Sequence, residues 1–194
     1  MLMKWAVLEG NVVVWDFALL MWHLMARSIN IDSVALHSIK RGISDSITFK
    51  YDETKVDKTG EFVQEKNVYS NPFQGHLCFF TALGVYLSLH QEHLAETEKL
   101  FLTPGAQLGN AAQTFVRQVG EIAKRNFDTV RNYCRLSHFN IHGLRKGGGT
   151  HATSATTLPP QFTTIACHGE WSMGRFWIFI FSLLPVVITT LGSC

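Results

Sequence analysis

The stretch HGLRKGGGTHATS, from His142 to Ser154, predicts a helix that carries chemistry on one face. His142 and Arg145 are three residues apart and so are neighbours across one turn. Such a pair grips an anion from one side, the Arg with a fixed fork of donors and the His with a proton donor or acceptor. Gly147, Gly148 and Gly149 follow at once. Each weakens a helix by roughly 1 kcal/mol relative to Ala. Either the helix is weak there, or the glycines admit close backbone packing. An H-x-x-R pair alone arises by chance in many helices, so its surroundings decide its meaning.

Working outward, the charge is locally one-sided. Between Arg117 and Lys146 seven basic residues (Arg117, Lys124, Arg125, Arg131, Arg135, Arg145, Lys146) face only Glu121 and Asp128. The whole chain carries +2, so the remainder is acidic. A basic zone on helical segments fits a polyanion partner, although a solvated helix face has the same composition. Upstream, the apolar run FALLMWHLM (Phe17–Met25) predicts a buried helix ending near Arg27. The period then changes. Ile47, Phe49 and Tyr51 alternate with Ser46, Thr48 and Lys50, as in a half-buried strand. Asp57-Lys58-Thr59-Gly60 is a turn, and Lys55–Val68 reads as that turn and a returning strand. Helices are predicted again over Phe79–Glu98, after Asn110 with Phe115, Val116, Val119, Ile122 and Ala123 on one face, over Asp128–Leu136, and from the first turn at Pro159-Pro160. The fold class is mainly α with a small antiparallel β-sheet, α+β, the sheet near residues 44–70.

A chain of 194 residues with 46% hydrophobic content builds one domain with a real core, and wholesale disorder is excluded. The four cysteines form no C-x-x-C pair, which argues against a zinc module and for a reduced intracellular compartment. The segment Phe176–Gly192 has seventeen residues without a charge, at the lower limit of the roughly 17–25 that span a membrane. It contains Pro185 and many β-branched residues. A C-terminal membrane tether is therefore the competing reading, with the protein structural rather than DNA-directed.

Four phrases, LMARS (Leu24–Ser28), KVDKTGE (Lys55–Glu61), HGLRKGGGTHATS and GEWSMG (Gly169–Gly174), occur in an order that resembles the catalytic domain of tyrosine recombinases of the phage-integrase type, closest to the eukaryotic transposon-associated kind. The site is also similar to that of type IB topoisomerases. The resemblance implies a DNA breaking-rejoining fold over residues 1–175, with residues 176–194 an apolar tail unlike the family. It implies double-stranded DNA as partner, homo- or hetero-oligomers on DNA, a nuclear place in a eukaryote, and neither cofactor nor metal. In that family a tyrosine attacks a phosphodiester and forms a 3′-phosphotyrosine link. By resemblance Arg27 and Arg145 clamp the non-bridging oxygens, and Lys55, with Lys58 as its neighbour in register, protonates the leaving 5′-oxygen. His142 handles a proton, and Trp171 donates its indole N–H to the phosphate.

The chain departs from the family where the nucleophile is expected, nine residues after Trp171. That position is Ile180, and the four tyrosines, Tyr51, Tyr69, Tyr86 and Tyr133, all precede His142. The agreement stops abruptly at Arg175, as in a truncated or frameshifted copy. Asn30 stands where the family often has an acid three residues after the first arginine. About 16 residues precede the first apolar helix, too few for the family's N-terminal DNA-clamping domain, so DNA affinity is expected to be weak and salt-sensitive. The sequence-level expectation is a pseudoenzyme that binds DNA and cleaves none by itself. A tyrosine lent by a heterologous partner would restore cleavage.

Overall fold

Eight consecutive residues, Val14 to Met21, are buried, and they make one helix the centre of the molecule. A helix apolar on every side is stable only when other elements enclose it. The computed structural model describes residues 1–51, 65–94, 98–101, 111–126, 128–129, 141–154 and 160–171. Its helices are α1 (Leu2–Leu8), α2 (Val12–His23), α3 (Ser28–Asp32), α4 (Phe79–Leu89), α5 (Gln91–Leu94), α6 (Ala111–Arg125), α7 (His142–Ser154) and α8 (Phe162–His168). The strands are β1 (Ile39–Arg41), β2 (Ser46–Phe49) and β3 (Lys66–Tyr69). The described residues are thus mostly helical with one small antiparallel sheet.

The central helix α2 starts earlier than the apolar run predicts, because the Asn11 side chain accepts a bond from the Val14 amide at 3.0 Å and caps it. α1, α4, α6 and α7 all pack on α2. Phe17 stacks on Phe115 of α6, with ring centroids 4.1 Å apart, and tilts against Phe101 at 4.9 Å. On α6 the residues Phe115, Val119, Ile122 and Ala123 face inward as predicted, but Val116 is exposed. It follows Phe115 by one residue, about 100° around the helix, and so falls outside the buried stripe. The segment predicted as one helix from Phe79 to Glu98 ends instead at Leu89, with α5 following His90. Pro160 does not open α8, which begins at Phe162 behind the extended Gln161.

In the sheet the order is β1-β2-β3, with Ile39 opposite Phe49 and Phe49 opposite Lys66. The short β1 is absent from the sequence reading, which begins the sheet at about residue 44; three residues, Ile-Lys-Arg, carry no alternation to detect. Strand β2 is buried on more than its apolar face. Ser46 donates to the Ile43 carbonyl (2.7 Å) and Thr48 donates to Asn67 Oδ1 (2.8 Å), which satisfies both hydroxyls away from water. The turn at residues 57–60, the helix expected over Asp128–Leu136 beyond residue 129, and the tail from residue 176 lie outside the described residues. Among the described residues no helix is long and apolar enough to cross a membrane.

Candidate functional site

The carboxyl end of α2 gathers the site. A helix ends with carbonyls that lack intrahelical donors and with the negative pole of its dipole, so basic groups collect there. Met25 takes φ +48° and Ala26 donates to the Met21 carbonyl at 3.1 Å, turning the chain sharply. Arg27 emerges half-buried at the N-cap of α3, with no side-chain cap bond of its own. His168, at the end of α8, donates from Nε2 to the His23 carbonyl at 2.9 Å. Arg145 donates from Nε to the Met25 carbonyl at 2.8 Å, and from Nη2 to the Gly169 carbonyl.

Helix α7 comes this close because of its glycines. A Cβ at Gly147 would lie 2.7 Å from Cζ3 of Trp22, and one at Gly148 would lie 2.7 Å from the Trp22 carbonyl oxygen. At Gly149 it would meet Cη2 of Trp171 at 2.3 Å. Of the two readings of the glycine run, close packing is the one realised: two glycines seat α7 on the end of α2 and the third seats Trp171. The Arg145 guanidinium carbon stands 6.0 Å from the Trp171 ring centroid, a cation–π distance. The backbone amide of Trp171 donates to the Ala166 carbonyl at 2.9 Å and closes the turn Gly169–Trp171 onto α8.

A third cation enters from the sheet. Lys66, opposite Phe49, is 6% exposed; its Nζ donates to Glu170 Oε1 at 2.7 Å and sits 4.8 Å from the Tyr51 ring centroid. Asn30 donates to the other Glu170 oxygen at 3.3 Å. Asn30 thus meets a carboxylate that comes from the turn beside Trp171. Burial pushes the Lys66 pKa down, the Glu170 carboxylate opposes this, and the Arg145 charge adds to the depression. Burial and then the like charge of Arg27 lower the Arg145 pKa, against Glu170 and Tyr51. Arg145 thus lies within the fields of Arg27, Lys66 and Glu170, three cations and one carboxylate among these described groups.

Tyr51 belongs to the same cluster, but it does not have the character of a nucleophile. Its ring is 1% exposed, its hydroxyl is buried with no hydrogen-bond partner among the described residues, and burial followed by the Glu170 charge raises its pKa well above the usual phenol value. His142 is exposed in the first turn of α7, one turn before Arg145. Lys55, Lys58 and Ile180 lie outside the described residues. Among the described residues no group of three or more His, Cys, Asp or Glu side chains is placed to hold a metal ion.

Lys66 and Glu170 are the site groups that carry no role in the sequence reading. A signal for Lys66 was present: it lies two residues before the buried Val68, hence on the same side of a strand. Glu170 left none, since its partners are 104 and 140 residues away in the chain. The basic zone is also less free than its composition implies. Arg117 pairs with Glu121 at 2.8 Å, and Arg125 pairs with Glu9 of the element before α2. No family model matches the chain, and no curated protein or solved structure matches it.

Proposed function

We propose that this protein binds DNA through its phosphates, with a site of tyrosine-recombinase type that does not cut DNA by itself. The observation that carries the reading is Arg145 beside Trp171, within the fields of Arg27 and of the Glu170 carboxylate that holds the buried Lys66: among these described groups, three cations stand against one carboxylate. An anion with several oxygens satisfies such a cluster better than a neutral ligand does, and an arginine fork bonds two of those oxygens at once. Arg145 is partly committed to holding the Met25 and Gly169 carbonyls. Its part is to fix the cluster as well as to contribute charge. Arg27 is half-buried at the start of α3 and adds its charge to that of Arg145. Lys66 is a lysine that stands in the field of Arg145, while Lys55 lies outside the described residues. In the absence of a tyrosine after Trp171, with Ile180 in the expected place, this chain alone forms no phosphotyrosine link.

The test is DNA retention by purified protein as a function of salt. Wild type binds a short duplex with an affinity that falls steeply as salt rises, and Arg27→Ala lowers the slope of log K against log salt by about one unit, the contribution of one phosphate contact. Identical slopes for the two proteins would overturn the phosphate reading. A suicide DNA substrate on a denaturing gel gives no covalent adduct; an adduct would overturn the non-cleaving part.

A further inference from the structure

The Glu170 carboxylate lies between two side-chain donors. It bonds Lys66 with one oxygen and Asn30 with the other, at 2.7 and 3.3 Å, within the field of Arg145. A carboxylate offers such donors what a phosphate offers them: two oxygens sharing a negative charge. Exposure is divided unequally, Lys66 keeping 6% and Glu170 keeping 24% of the side-chain surface. The donor is rooted in the protein and the anion faces water. Glu170 also sits at φ +52°, in the left-handed region that a glutamate adopts only at a cost. Letting the side chain go requires no break in the fold's core, because the turn itself is held by the Gly169 and Trp171 backbone bonds to α8.

We propose that the Glu170 carboxylate occupies the seat of a phosphate group on the Lys66 and Asn30 donors, within the field of Arg145, so that the free protein is closed by its own anion and a phosphate binds by displacing it. This rests on the phosphate-binding reading above and adds its regulation: Glu170 sets the threshold of affinity. Removing the carboxylate takes away the counter-charge that Lys66 and Arg145 have among the described residues, and the vacated donors go to the incoming anion.

The experiment compares wild type with Glu170→Gln and Glu170→Gly, titrating inorganic phosphate and a short duplex separately. Glycine suits the positive φ at this position, which guards the second variant against failure to fold. Both variants are expected to bind inorganic phosphate about tenfold more tightly than wild type, a modest share of the Coulomb energy between unit charges a few ångströms apart near a protein surface. Equal or weaker binding in both variants would overturn the inference and assign Glu170 to holding Lys66 in place. The two claims fail separately. Tighter phosphate binding with DNA retention indifferent to Arg27→Ala supports the Glu170 seat and sinks the DNA reading. DNA retention sensitive to Arg27→Ala with phosphate affinity unchanged by both Glu170 variants does the reverse.

Discussion

Alanine at Gly148 should destabilise this protein, although helix propensity alone says the opposite. In a helix interior, Gly to Ala is worth up to about 1 kcal/mol in favour of the folded state. At Gly148 the added Cβ would lie 2.7 Å from the Trp22 carbonyl oxygen and 3.4 Å from Met25 Cγ. Backbone on one side and a buried side chain on the other leave α7 to withdraw by roughly half an ångström or more before the contact reaches an ordinary van der Waals distance. That movement lengthens the 2.8 Å bond from Arg145 to the Met25 carbonyl. Overpacking of this kind costs about 1–3 kcal/mol, enough to exceed the propensity gain. Gly120, inside α6 with nothing within 4 Å of its added Cβ, is the control. Gly120→Ala should gain up to about 1 kcal/mol and Gly148→Ala should lose about 1 kcal/mol or more, so the two differ in sign. Urea denaturation with unchanged m-values reads this directly, and the corresponding melting temperatures separate by several degrees. A gain at Gly148 equal to that at Gly120 would refute the close approach of α7 to α2, and with it the placement of Arg145.

Two further outcomes follow from the same geometry. Arg145→Lys keeps the charge but cannot reach the Met25 and Gly169 carbonyls together, so stability falls by about 2 kcal/mol in chemical denaturation; an unchanged midpoint would show that the arginine is not a buttress. Asp16 lies fully buried in α2, with no partner for either oxygen among the described residues, and burial raises its pKa well above 3.8. The folded state then keeps a proton that the unfolded chain releases, so this group's contribution is complete below about pH 4 and is lost as pH rises towards its folded pKa. Asp16→Asn should match wild type near pH 4 and exceed it at pH 8 in thermal melts; parallel pH profiles would count against a buried, unpaired Asp16.

Much of the scaffold was legible in the chain because its signals are local. The run from Phe17 announces a buried helix, and the Phe115, Val119, Ile122 spacing marks one face of another. The alternation about Phe49 marks a strand whose even positions are also hidden. That last fact was not legible, since the burial of Ser46 and Thr48 depends on hydroxyl partners at Ile43 and Asn67. The break after Leu89 was equally silent, because helix-favouring residues such as Gln91, Glu92, Leu94, Ala95 and Glu96 continue past it.

For the site, the sequence by itself determined the residue types and their order: an arginine after an apolar helix, a His and an Arg one turn apart, a glycine run, a tryptophan, and no tyrosine beyond it. These follow from identity and from spacing along one element, which a linear chain displays. Tertiary structure decided which of them meet. The glycine run draws α7 onto the end of α2, the carbonyls there capture Arg145 and His168, and β3 carries Lys66 inward. Glu170 reaches both Lys66 and Asn30. Those contacts join residues more than a hundred positions apart, and their energies depend on burial and on charges brought within a few ångströms, quantities that exist only once the chain is folded.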